Sequence, residues 1–339
     1  MGRAEFIRRS LIFISLACLP FVVWRLFGVI LLATAAALVA ALIHLVAEPF
    51  RFLRLPRGPA LILSGLLIAA VLSAGAYLSG AMISAELQEV LHRAEEAREA
   101  FATQLERLGL DGYLPDLGKG FSAAALLAKI FSVSGEAFLA TLAAVFVGVF
   151  LAGEPELYLD GLTLLLPPSW RANASDTLLH VAMALRLWLI GLLFEIVSVG
   201  LLGGLSVWLI GLPSPIALGA ITGLAEFVPY IGPILAIFPS VIVAATVSPF
   251  AMLTTAATYF VIHQFDGNVM MPIIQSRLVR IPPALMLISI AVVGSLFGIA
   301  ATILAAPLTV MLFVVVSKLY VRDALGEEAI LPGDPVAGD

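Results

Sequence analysis

Residues 223–239, reading Gly223-Leu-Ala-Glu-Phe-Val-Pro-Tyr-Ile-Gly-Pro-Ile-Leu-Ala-Ile-Phe-Pro239, constrain this chain more than any other stretch. They are apolar enough for a bilayer, yet they carry Pro229, Pro233 and Pro239, a mid-stretch Gly232 and the carboxylate of Glu226. A proline deletes a backbone donor and clashes with the preceding turn. It also pushes the residue before it away from helical angles. The spacing therefore predicts a break around Tyr230, with Gly232 supplying backbone angles closed to other residues. In hydrocarbon, broken backbone persists only where protein buries it or a watery cavity accepts its bonds. Two readings stay open. The break is a transporter's binding site, or it is a tight turn joining two hairpin helices with no substrate contact.

The surroundings of the break decide the class. Of 339 residues, 61% are hydrophobic and only 12% are charged, against about 25% charged in soluble domains. The apolar runs do not alternate, so they predict helices and not barrel strands. The expectation is an all-α, polytopic membrane protein. A net charge of -5 with no basic tract argues against nucleic acid as a partner. The single cysteine, Cys18, excludes an intramolecular disulfide and reads as a small buried hydrophobe.

The apolar runs 11–24 and 27–47 are separated by Arg25, which predicts a tight helical hairpin. Arg3, Arg8 and Arg9 precede it, and Arg51, Arg54 and Arg57 follow it. By the positive-inside rule both groups belong on the cytoplasmic side. A third run, 59–83, leads outward to the extended polar region 84–129. There Leu87, Val90, Ala94, Ala97, Phe101 and Leu108 form a heptad-like stripe on an otherwise charged helix. That helix lies on the membrane or on its own protein, or it makes a subunit contact. A fourth run, 137–152, returns inward, and a surface helix over 175–187 precedes a fifth run, 187–210.

Small residues four apart, Gly200 and Gly204, Gly219 and Gly223, Gly294 and Gly298, predict close helix packing. From Leu212 onward the runs are interrupted by prolines and glycines, and a polar patch follows that includes His263, Gln264, Asp266, Asn268, Arg277 and Arg280. The sum is about eight spans plus broken or re-entrant hairpins. The expected regions are N-terminal transmembrane helices at 1–83 and an extracytoplasmic amphipathic region at 84–135. A transport core at 136–320 and a cytoplasmic tail at 321–339 complete them, with both termini cytoplasmic.

No phosphate-binding Gly-x-x-x-x-Gly-Lys loop, zinc cysteine pair or His-Glu-x-x-His is present, so neither an enzyme nor a resident metal or cofactor is expected. His44 and Glu48, one helical turn apart, could make a metal or proton pair, but they read first as interfacial residues at a helix end. The acids inside apolar runs are more informative. A charge at the bilayer centre costs about 2.5–3.5 kcal/mol on insertion scales, so it faces a cavity or a partner. Glu195, Glu226 and Asp266 qualify. Each could carry a proton, bind a cation or hydrogen-bond a polar solute, or partner backbone freed by a break.

Four ordered motifs carry a family resemblance: Gly211-Leu-Pro-Ser-Pro through Glu226-Phe-Val-Pro-Tyr-Ile-Gly-Pro233; Gln264 with Asp266-Gly-Asn-Val-Met-Met-Pro272; Leu278-Val-Arg-Ile-Pro-Pro-Ala284; and Leu296-Phe-Gly298 to Ala306-Pro307-Leu308. In these the chain resembles the autoinducer-2 exporter (AI-2E) family of bacterial inner-membrane proteins, for which permease is an older label. The resemblance runs over nearly the whole chain. It implies an oligomeric, multi-spanning protein that moves a small polar solute outward by secondary or facilitated transport. Members have been assigned to autoinducer-2 export and others to sodium/proton antiport. In relatives the position of Glu226 is often an amide. The candidate pathway comprises Glu195, Glu226, Pro229, Tyr230, Gly232, Pro233, Gln264, Asp266 and Asn268, with the bilayer and either a polar solute or a monovalent cation and proton as partners. A Na+(Li+)/H+ antiporter and a non-transporting membrane scaffold are the rival readings.

Overall fold

The structure, a computed structural model, describes residues 3–78, 135–271, 281–329 and 331–332. Every regular element among them is helical. The stripe at 87–108, the Cys18 side chain, Arg277 and Arg280 lie outside the residues or side chains described.

The first helix, α1 (Arg3–Phe52), overturns the expected hairpin. Arg25 is a lone charge with no turn-forming cluster beside it, and a long flexible side chain can reach polar surroundings without breaking the helix. Arg3 and Arg51 consequently stand at opposite ends, about 70 Å apart at 1.5 Å per residue. The segment Trp24–Phe52 is long and apolar enough to cross a membrane. Cysteines placed at Arg25 and Arg54 in a Cys18→Ser background should therefore label from opposite faces of intact cells with an impermeant reagent. Labelling of both from one face would contradict a spanning α1.

A turn with Arg54 at φ 65° leads to α2 (Arg57–Leu78). Then α3 (Gly135–Gly153) packs along α1, with Gly148 set against Val39 and the Ala36 carbonyl. The chain bends by 93° into α4 (Pro155–Leu164). The following α5 (Pro168–Ile210) runs 43 residues without interruption. The expected surface helix at 175–187 is thus the first part of this rod, because nothing between Pro168 and Gly211 forces an end. Gly211 ends it in the left-handed region, φ 82°, as glycine does at helix C-termini.

Two pairs of short helices follow: α6 (Pro215–Ala225) with α7 (Gly232–Val247), then, after α8 (Pro249–Phe265), α9 (Pro283–Phe297) with α10 (Ala305–Val316). Gly298 at φ 87° turns the second pair. Prolines open α6, α7, α8 and α9 within their first turn, where a missing donor costs nothing. Among the described residues three helical segments are long and apolar enough to span, or four with the bent α3–α4 pair. Shorter apolar helices at Arg57–Ala70, Pro215–Ala225, Gly232–Val247 and Pro283–Phe297 accompany them. This is a multi-pass helical membrane protein.

The α5–α6 contact is backbone on backbone. A Cβ at Gly219 would lie 2.7 Å from Gly204 Cα and 2.8 Å from the Gly200 carbonyl oxygen, and one at Gly223 would strike the Ile196 carbonyl. The paired small residues of the two helices face each other, as their spacing predicts. Beyond this seam Val207, Leu218, Val243 and Tyr259 are fully buried in one cluster that joins α5, α6, α7 and α8. At the C-terminal end Lys318 reaches Asp176 at 3.1 Å, Asp323 at 3.0 Å and Asn173 at 3.3 Å. That network ties the segment after α10 to α5. Its hydrogen bond from Lys318 holds the Asp323 carboxyl below the usual carboxylate range.

Candidate functional site

The break forms as the prolines require. In the last turn of α6 the amides of Glu226, Phe227 and Val228 donate to the carbonyls of Gly223, Leu224 and Ala225 at 3.1, 3.2 and 3.1 Å. These three-residue steps tighten the helix before Pro229 ends it. The chain turns at Tyr230, whose φ is 66°, and Gly232 donates to the Val228 carbonyl at 2.8 Å. The left-handed angle expected of Gly232 is therefore adopted by Tyr230. Glycine is needed at 232 for a different reason. A Cβ there would strike the Ala225 carbonyl and come within 3.0 Å of Glu226 Cα. A side chain at this position would pry the hairpin apart, so Gly232→Val tests folding and not the bore of a pathway.

Beneath the turn the structure gathers ionisable groups from three helices. Glu226 caps the C-terminus of α6 and is 2% exposed. Its Oε1 lies 3.7 Å from Nδ1 of His263 on α8. Asp266, 6% exposed, opens a π-helical turn over Asp266–Met270 that continues α8. Such turns are rare and concentrate at functional sites. Glu195 stands half-buried on α5, which packs against that π-turn.

Next to this group Tyr259 is fully buried, and its hydroxyl meets Thr222 Oγ1 at 2.9 Å and Ser240 Oγ at 2.7 Å. One side chain thereby fastens α6, α7 and α8. Glu226 Oε1, both ring nitrogens of His263, Asp266 Oδ1 and Thr255 Oγ1 are buried without a hydrogen-bond partner among the described residues. Four of these five atoms belong to Glu226, His263 and Asp266, and Thr255 lies two helical turns before His263 on α8.

Three of the acids singled out from sequence, Glu195, Glu226 and Asp266, are thus brought together. Pro229, Tyr230, Gly232 and Pro233 form the turn directly after Glu226, with Tyr230 43% exposed. Gln264 and Asn268 are exposed instead, and Asn268 Nδ2 donates to the Gln264 carbonyl at 2.8 Å. They share a helix with Asp266 but not its face. Residue types alone do not mark His263, Tyr259, Thr255, Thr222 or Ser240 as members of the cluster. The available signal is periodicity: Thr255, Tyr259 and His263 recur every four residues, and Asp266 follows three later. His44 and Glu48 do not pair. His44 Nδ1 meets the Ala40 carbonyl at 2.9 Å, and Glu48 pairs with Arg186. Among the described residues no group of three or more His, Cys, Asp or Glu side chains is placed to hold a metal ion.

Residues 11–321 match the pattern of the AI-2E family transporter. Over 167 residues the chain is 32% identical to YrrI of Bacillus subtilis, covering 49% of this chain and 47% of that protein. It is 24% identical over 198 residues to YueF of the same organism, covering 58% and 53%. A protein of Thermotoga maritima is 23% identical over 268 residues, covering 77% and 81%. Each of the three is named "Putative transport protein". The aligned stretch spans about half the length of the two Bacillus relatives, at 47% and 53%.

Proposed function

Because this chain belongs to the AI-2E family of transporters, we propose that it is a membrane transporter that exports a small polar solute, an autoinducer-2-like signalling molecule being the type, by secondary or facilitated transport. The solute would pass the α6–α7 break, with Glu226, His263, Asp266 and Glu195 as the groups it meets and Tyr230 at the turn. The setting is the cytoplasmic membrane of a bacterium, and the working form is a homo-oligomer.

One observation carries this reading. Four of the five buried polar side-chain atoms left without partners among the described residues belong to Glu226, His263 and Asp266, beside broken backbone in a largely apolar bundle. Leaving a buried donor or acceptor unpaired costs about 1–3 kcal/mol. Several such groups in one place are retained at a cost to stability. Binding something polar that arrives from outside the fold accounts for that cost. A furanosyl polyol offers donors and acceptors of the kind a carboxylate, an imidazole and a hydroxyl can match.

A second reading, a Na+(Li+)/H+ antiporter, is favoured by the approach of His263 to Glu226 at 3.7 Å. The scaffold reading depends on the stripe at 87–108. Flux through the purified protein in liposomes separates them. Solute export predicts saturable movement of a labelled polyhydroxylated solute, competed by related polyols. Antiport predicts sodium-dependent proton movement that such solutes leave unaltered. If neither a polar solute nor a cation moves above protein-free liposomes, transport through this break is wrong.

A further inference from the structure

We propose that α4 is an interfacial helix, lying in the plane of the bilayer with one face sunk among the lipid acyl chains. Its placement follows from α3. The 19 residues of α3 measure about 28 Å, close to the thickness of a bilayer's hydrocarbon core. Phe146 and Phe150 stand exposed on it at 59% and 64%, as lipid-facing residues do. The chain then turns by 93° with only Glu154 between the two helices. A helix at a right angle to a membrane-crossing one, joined at its end, runs parallel to the membrane surface at the depth where the crossing ends.

The side chains of α4 divide to suit that position. At about 100° per residue, Leu157, Tyr158, Leu164 and Leu165 fall on one side and Glu156 and Asp160 on another. Leu159 and Thr163 fall on a third side, and these are the positions that are covered. The apolar side has no cover among the described residues: Leu157 is 61% exposed, Leu164 63% and Leu165 82%. Like the exposed residues of α3 these side chains are large, apolar and uncovered, so the occupant that suits them is the same lipid. Arg171 fixes the far end of α4, donating from Nε to the Leu166 carbonyl at 3.1 Å and from Nη2 to the Leu164 carbonyl at 3.4 Å.

Interfacial helices often bind through a basic face attracted to anionic lipids. Here the polar side is acidic, with Glu156 in the first turn. It is favourable to the helix's own positive end and repelled by anionic headgroups. Attachment therefore rests on apolar burial and gains nothing from anionic lipid.

Single spin labels test this in the full chain, in a Cys18→Ser background, reconstituted into phosphatidylcholine liposomes. Leu157→Cys and Leu165→Cys probe the apolar side at two independent places, and Glu156→Cys and Asp160→Cys probe the acidic side. Labels at 157 and 165 should collide more with dissolved oxygen than with a water-soluble nickel chelate, and labels at 156 and 160 should show the reverse. Adding phosphatidylglycerol should leave both results unchanged. If the nickel chelate wins at all four positions, α4 stands in water and the proposal is wrong. If neither reagent reaches 157 and 165, another segment or a second copy covers that face, and the proposal is equally wrong.

Discussion

Glu226→Leu should make the protein more resistant to thermal unfolding and at the same time slow its transport about tenfold. The two effects have one cause. Glu226 is 2% exposed, its Oε1 has no hydrogen-bond partner among the described residues, and its nearest opposite group is His263 at 3.7 Å. Replacing an unpaired buried polar group by an apolar side chain of similar volume removes its desolvation penalty, about 1–3 kcal/mol. The same change removes a polar contact from the proposed pathway. Loss of a contact worth about 1.4 kcal/mol lowers flux about tenfold. Thermal unfolding in detergent and liposome flux read the two halves separately. Wild-type flux in Glu226→Leu would remove Glu226 from the pathway. Glu226→Gln then divides the two transport readings. It keeps shape and hydrogen bonding and loses only the titrating charge. A solute exporter should keep much of its flux, whereas an antiporter that depends on this carboxylate should lose its pH-dependent cation exchange.

Gly223→Val should cost at least about 3 kcal/mol and leave little folded protein. Overpacking a tight interface costs about 1–3 kcal/mol when neighbouring side chains can give way. At this seam the neighbours are backbone. The added Cβ strikes the Ile196 carbonyl and comes within 3.1 Å of Gly200 Cα, so α6 must leave α5 for the side chain to fit. The control is Gly65→Ala in α2, where a Cβ meets nothing within 4 Å. That change should be close to neutral or slightly stabilising, because alanine suits a helix interior better than glycine. Thermal melts in one detergent, with expression level as a second readout, compare the pair. A Gly223→Val protein that melts with the wild type would mean that the seam is not as close as described.

The class and the break are legible in the sequence because both rest on residues whose effect is local. Apolar runs make membrane helices wherever they occur, and Pro229 and Pro233 interrupt a helix whatever surrounds them. The glycine pairs of α5 and α6 are legible for the same reason. Arg25 misleads because a single charge between apolar runs suits a turn and a continuous helix equally, and neighbouring helices decide which forms. Residue type singles out Gln264 and Asn268, but helical phase turns them outward while Asp266 turns in. His263 and Tyr259 escape a reading by residue type because their role emerges only when α6, α7 and α8 are set against one another. Propensity assigns the left-handed angle to Gly232, but the turn places it at Tyr230 and uses the glycine for close approach.

That close approach has an electrostatic consequence. It brings the carbonyl end of α6, at Ala225, against the amide end of α7, at Gly232. Aligned peptide dipoles leave about half a negative charge at the first of these ends and about half a positive charge at the second. The break is therefore a place where opposite fields meet within a few residues, neither attracting nor repelling net charge strongly. A bare cation gains little from such a mixed field. A neutral molecule studded with hydroxyl groups, able to give a proton to one end and take one from the other, gains from both.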